Sequence, residues 1–147
     1  MLKGVDPLLG PELLATLRAM GHADEIAIVD ANFPAAANAR RLIRAEGVDA
    51  PRMAGAILSV LPLEQHEPVA AFRMAVDGAH EEVPPVVGEF AGLLKAVGYD
   101  GPIGLLGRFE FYERTRGAYA IVATGERRHW GNLILKKGAI PPQAPAG

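Results

Sequence analysis

Residues 11–34 read PELLATLRAMGHADEIAIVDANFP, and their order decides the fold class. Over residues 11–20, Leu13, Leu14, Leu17 and Met20 fall on one helical face. Pro11 suits the first helical position and Gly21 the position just past the end. Residues 25–29, EIAIV, form a short apolar, β-rich run. The loop Asp30-Ala31-Asn32-Phe33-Pro34 closes that run, because Pro34 turns Phe33 away from helical geometry. A helix feeding a buried strand that empties into a polar loop is the building unit of an α/β protein.

The chain repeats that alternation. Residues 35–46 stay open between helix and strand: the alanines favour helix, while Leu42-Ile43-Arg44 could enter the Gly47 turn as a strand. Residues 51–61 predict a second helix, opened by Asp49 and stopped at Pro62. Residues 70–76 alternate Phe72, Met74 and Val76 as a strand does. Residues 86–97 predict a third helix, with Phe90, Leu93, Leu94 and Val97 inward and Gly98 as terminator. Strands follow at 103–106, 119–124 and 133–135, with a short helical segment over 109–114 and a charged, hairpin-like loop over 125–132. The expected class is α/β, with helices layered around a mixed, partly parallel sheet in a single domain. That domain spans residues 1–138. Residues 139–147 carry Pro141, Pro142 and Pro145 and no charged side chain, which suits a disordered or docking tail.

Composition removes whole classes of chemistry. The chain has 147 residues, 50% of them hydrophobic, enough to build one core without staples. It has no cysteine, so disulfides, thiolate metal sites and thiol nucleophiles are excluded. Serine occurs once, at Ser59 inside the apolar run 53–63, and covalent catalysis through a hydroxyl has almost no candidates. Fifteen basic residues against 17 acidic ones give a net charge of −2, which argues against a nucleic-acid or anionic-membrane binder. The apolar run 53–63 falls well short of the ~20 residues of a membrane helix, and early charges at Asp6, Glu12 and Arg18 do not suit a secretory signal. A cytoplasmic protein is expected.

The remaining ionisable chemistry has few homes. His22 lies just past the first helix, beside Asp24 and Glu25, where the helix dipole favours imidazolium; it reads either as a general acid/base or as a cap on the last carbonyls. Asp30 ends the first strand, where open α/β sheets bind ligands, and reads equally as an Asx turn. Without a His-x-His or a helical histidine pair, a metal site built on His22, Asp24 and Asp30 is not expected. Residues 108–114, RFEFYER, combine two guanidinium groups, three aromatics and two carboxylates. Ring faces cover sugar C–H groups while forks and phenols bind hydroxyls, so Arg108 and Tyr112 suit a polyol site. Glu113, Arg114 and Arg116 read instead as an ion-paired helix surface. Residues 125–132, GERRHWGN, hold the lone tryptophan, and His66 and His80 read as plain surface residues.

At these residues the chain resembles the fucose mutarotase and ribose pyranase family. The motifs GHADEI (21–26), DANFP (30–34), RFEFYER (108–114), TGE (124–126) and GNLILKKG (131–138) look like that family's in order and spacing, and with residues 8–20 they cover nearly all but the tail. Asn32-Phe33-Pro34 and Arg108 resemble the fucose branch, since ribose pyranases typically carry Gly-Leu-Pro and a histidine there. Trp130-Gly131-Asn132 departs from the usual Tyr-Gly-Asn, exchanging a phenol that can donate and accept for an indole that only donates.

The resemblance implies interconversion of the α and β anomers of a free monosaccharide without a cofactor. L-fucose is the first candidate, with ribose and galactose behind it. It implies His22 as principal acid/base, Tyr112 as a second proton-handling or orienting group, and Asp30, Arg108, Trp130, Gly131 and Asn132 as sugar-binding residues. It also implies a homo-oligomer with sites near subunit boundaries. A non-catalytic sugar-binding or transport-accessory protein is the alternative, since binding does not need a titrating His22.

Overall fold

The computed structural model describes residues 1–143. Their elements run α1 (Pro11–Ala19), β1 (Glu25–Val29), α2 (Ala35–Asn38), β2 (Leu42–Ala45), α3 (Ala50–Leu58), β3 (Ala71–Met74), α4 (Pro85–Ala96), β4 (Ile103–Leu106), α5 (Arg108–Gly117), β5 (Ala120–Thr124) and β6 (Leu133–Lys136). The six strands form one sheet in the order β2-β5-β1-β6-β3-β4. β1 pairs parallel with β5, β5 with β2, and β3 with β4, while β6 runs antiparallel to both β1 and β3. Five strands therefore point one way and β6 points the other. The expected α/β class with a mixed, largely parallel sheet is what the chain adopts.

Strand alternation splits the core between the two faces of the sheet. Ile26, Ile28, Val122, Leu133 and Leu135 pack with Leu13 and Leu17 of α1, Met53 and Ile57 of α3, and Phe90 and Leu94 of α4. On the other face, Ala27, Val29, Ile121 and Ile134 pack with Ala35 of α2, Phe111 of α5 and Met74. Both faces of β1 are covered, and Ile26, Ala27, Ile28 and Val29 have no exposed surface. Each of its larger side chains contributes about 1.5–3 kcal/mol by burial, so β1 is a rigid rod on which both of its ends are fixed.

Several local readings are resolved or corrected. The open stretch 35–46 divides into the short helix α2 and the strand β2. The loop over 125–132 is not a hairpin: β5 and β6 lie on opposite sides of β1, so this segment crosses over the end of β1. Val97 does not face inward; α4 stops at Ala96 and Val97 is 49% exposed. Residues 139–143 carry no helix or strand, and the remainder of the Pro-rich tail lies outside the described residues.

Candidate active site

The carboxyl ends of the five parallel strands and the entry of β6 meet at one edge of the sheet. Asp30 leaves β1 there, Asp77 follows β3, Arg108 and Tyr112 follow β4 on α5, and Trp130 and Asn132 precede β6. These residues, with Asn32, Phe33, Met74 and His129, line a cleft of about 200 Å³. That is smaller than pockets for drug-sized ligands and suits one small polar molecule. The place follows the rule that open α/β sheets bind ligands beyond the carboxyl ends of their strands.

Asp30 and Asn132 lock together at the floor. The Asp30 amide donates to Asn132 Oδ1 at 2.8 Å, and Asn132 Nδ2 donates back to Asp30 Oδ2 at 3.0 Å. Asp30 Oδ1 also accepts the Asn32 amide at 2.9 Å, so the Asx turn and the cleft-facing carboxyl are the same structure. Burial pushes the Asp30 carboxyl above its ordinary range, against the opposing pull of hydrogen bonds from Asn32, Asn132 and Phe33 and of His129. Arg108 lies over the Phe109 ring, and its Nε stands 3.1 Å from Asp77 Oδ2. That Nε is buried, and its contact with Asp77 is an ion pair without hydrogen-bond alignment. Tyr112 packs edge-on against Phe33 and Phe109, at ring-centre distances of 5.2 and 6.0 Å.

The crossover loop that carries Trp130 is held by a buried carboxylate. Glu126 Oε1 accepts the amide of Arg128 at 3.0 Å and its Nε at 2.9 Å, and Oε2 accepts its Nη2 at 3.1 Å. Oε2 also takes the Ala50 amide at the start of α3, at 3.3 Å. The Arg128 guanidinium, foremost, holds the Glu126 carboxyl below its usual range. Gly131 fits tightly here: a Cβ would come within 2.7 Å of Glu126 Cγ. Trp130 itself has φ of +68°, a left-handed conformation uncommon for a bulky residue. Such strain persists where the surroundings impose it.

His22 is elsewhere. It sits before β1, at the opposite edge of the sheet, in a turn where Gly21 donates to Asp24 Oδ2 at 2.7 Å and Ala23 has φ of +70°. Its Nε2 is hydrogen-bonded to Glu64, and its ring meets His66 edge-on at 6.2 Å. The carbonyls at the end of α1 are taken by Lys137, whose Nζ donates to Leu17 O at 2.7 Å and Met20 O at 2.6 Å, so His22 is not their cap. Glu25 instead receives a two-pronged contact from Arg114, and Arg116 pairs with Glu113, in keeping with an ion-paired outer face of α5.

One cleft thus brings together Asp30, Arg108, Tyr112, Trp130 and Asn132; Gly131 lies between two of them in sequence but does not line it, and His22 stands apart from them. Sequence reasoning did not single out Asp77, His129, Glu64 or His66 for the site. Asp77 and Glu64 are lone carboxylates in polar connections, and only the sheet order reveals their partners.

Comparison with known proteins completes the picture. Fucose mutarotase of Bos taurus is 43% identical over 149 residues, covering 97% of this chain and 97% of that protein. Fucose mutarotase of Danio rerio is 43% identical over 148 residues with the same coverage. The crystal structure of the fucose mutarotase in complex with L-fucose from Streptococcus pneumoniae has a TM-score of 0.89 and 41% identity, covering 95% of this chain and 100% of that one. The model of the RbsD / FucU transport protein family matches residues 3–140, and the chain belongs to that family.

Proposed function

We propose that this protein is an isomerase that interconverts the α and β anomers of L-fucose, at a site completed by two copies of the chain. The curated relatives named as fucose mutarotases and the neighbour solved with L-fucose support the substrate and the reaction. The observation that carries the two-copy reading is the separation of His22 from the cleft by the full length of β1. In this reading Asp30, Arg108, Trp130, Gly131 and Asn132 of one copy hold the sugar, Tyr112 orients its anomeric hydroxyl, and His22 of a neighbouring copy faces the ring oxygen.

The chemistry needs one acid and one base. His22 as imidazolium gives a proton to the ring oxygen as the C1–O5 bond breaks and its electron pair goes to O5. The anomeric hydroxyl loses its proton through the Tyr112 phenol to solvent, and C1=O forms. The aldehyde turns about C1–C2, O5–H adds to the other face of C1, and the protons return along the same routes. Asp30 and Arg108 contribute by holding the hydroxyls while the ring is open, so that reclosure competes with escape.

Among the described residues no helix is long and apolar enough to cross a membrane. The absence of cysteine supports a reducing, cytoplasmic setting. The family's description as transport proteins favours a second reading, sugar binding without catalysis. Saturation-transfer NMR of L-fucose, D-ribose and D-galactose with the protein and its His22→Asn variant decides between them. Fucose exchange above the spontaneous rate, lost in the variant, supports the mutarotase; line broadening without faster exchange supports the binding protein.

A further inference from the structure

We infer that Glu64 is the positioning residue of the acid/base: its carboxylate grips Nε2 of His22, fixes the ring and its tautomer, and makes Nδ1 the atom that trades protons with the sugar. This rests on the reading of His22 given above. Glu64 is a carboxylate in an unusual place, 3% exposed in the connection between α3 and β3, beside a histidine side chain that is half exposed. Its Oε1 accepts the amides of Gln65 at 2.8 Å and His66 at 2.7 Å, leaving Oε2 for the imidazole. Those bonds, the His66 amide foremost, hold its carboxyl below the ordinary range, so it is charged at neutral pH.

Both partners hang from the end of β6. The Glu64 amide donates to Lys136 O at 3.0 Å, and the Gly138 amide donates to Pro62 O at 2.8 Å. Gly138 approaches so closely that a Cβ would come within 2.2 Å of Leu63 O. On the His22 side, Ala23 donates to Lys137 O at 2.8 Å and Lys137 donates to Asp24 O at 2.9 Å. The dyad is therefore built on one fixed backbone anchor, although its members are 42 residues apart in sequence.

The consequence is chemical. A neutral imidazole whose Nε2 faces an ionised carboxylate carries its hydrogen there, and its Nδ1 is the free base. When protonated, the ring keeps the same carboxylate as its partner, so its orientation is held in both protonation states. The other ionisable groups around it are His66, whose ring is edge-on, Asp24, whose carboxylate is taken by the Gly21 amide, and Lys137, whose ammonium is taken by the carbonyls ending α1.

The test compares wild type, Glu64→Gln, Glu64→Asp and His22→Asn by fucose exchange from pH 5 to 9, with circular dichroism as the check of folding. Glu64→Gln keeps a shape that can still accept from Nε2 but removes the charge. The expected result is a fall of about 10- to 100-fold in kcat, little change in KM, a pH profile that differs from that of wild type, and partial rescue in Glu64→Asp. A folded Glu64→Gln with the wild-type rate and pH profile overturns the proposal and leaves Glu64 as a cap on its neighbouring amides. If His22→Asn is fully active, the reading of His22 itself fails, a different result. A readout on the wild-type protein needs no variant to fold: nitrogen-15 NMR of His22 above its pKa is expected to show the Nε2–H tautomer, and the Nδ1–H tautomer overturns the assignment.

Discussion

His22 and Asp30 stand at opposite ends of β1, one before Glu25 and the other after Val29. The five-residue strand alone spans roughly 15 Å, and it is buried on both faces, so no side-chain motion brings the two to one monosaccharide. A site that uses both must borrow one of them from another copy across a subunit contact.

The two-copy site predicts complementation between inactive variants. Coexpression of His22→Asn with Arg108→Ala in equal amounts should regain activity, because about a quarter of the shared sites then receive both intact halves. Each variant alone should be at background in saturation-transfer NMR. No recovery in purified mixed assemblies would place both groups in one copy's service and sink the composite site.

The reciprocal pair of Asp30 with Asn132 predicts coupled losses. Asn132→Ala strips a hydrogen bond from a buried carboxyl and another from a buried amide. Each buried group left alone costs about 1–3 kcal/mol, and the melting temperature should fall by about 2–4 °C for each kcal/mol in a chain of this size. Fucose binding, followed by titration, should weaken together with stability. An unchanged melting temperature would mean that water replaces the amide at no cost.

The buried carboxylates predict an acid-labile fold with a known sign. The Glu126 and Glu64 carboxyls lie below their unfolded values, so their contribution is fully present above the unfolded pKa of about 4.3 and is lost as pH falls through the folded values. Asp30 runs the other way: its raised carboxyl favours the folded state at low pH and withdraws that help as pH rises through it. The part that Glu126 and Glu64 supply makes the melting temperature drop below about pH 4, where the unfolded chain is taking up protons. Glu126→Gln should flatten that slope while lowering stability at pH 7, and a slope equal to wild type would show that Glu126 does not supply it.

How much of this was legible in the sequence follows from range. β1 and its polar exit were plain, because four apolar residues bounded by charge and a proline encode a strand end locally. Residues 35–46 resisted, since a four-residue helix and a four-residue strand are too short to show a period. The segment 125–132 looked like a hairpin because local pattern does not state that β1 lies between β5 and β6. The same long-range pairing hides Glu64, whose partner is remote in sequence, and gives the end of α1 to Lys137 rather than to the nearer His22. The cleft's Asp30, Arg108 and Asn132 could be picked out by motif, but their separation from His22 needed strand direction.

Trp130 supplies the last prediction, because it separates the ring from its polar edge. The left-handed backbone at Trp130 is imposed by the loop and holds the side chain against the cleft whatever aromatic stands there. If its role is to cover an apolar sugar face, Trp130→Phe should keep KM within about threefold, whereas Trp130→Ala should lose an aromatic contact of about 0.5–1.5 kcal/mol beyond area and raise KM up to about tenfold. If instead the indole N–H binds a hydroxyl, Phe should be as poor as Ala, because a sugar hydroxyl is then left unpaired in the cleft. Trp130→Tyr tests the remaining option. A phenol adds a group that can accept as well as donate, and a rise in kcat in Tyr but not in Phe would show that the tryptophan trades proton handling for surface cover. Steady-state saturation-transfer rates over a range of fucose concentrations separate these outcomes, since cover acts on KM and proton handling on kcat.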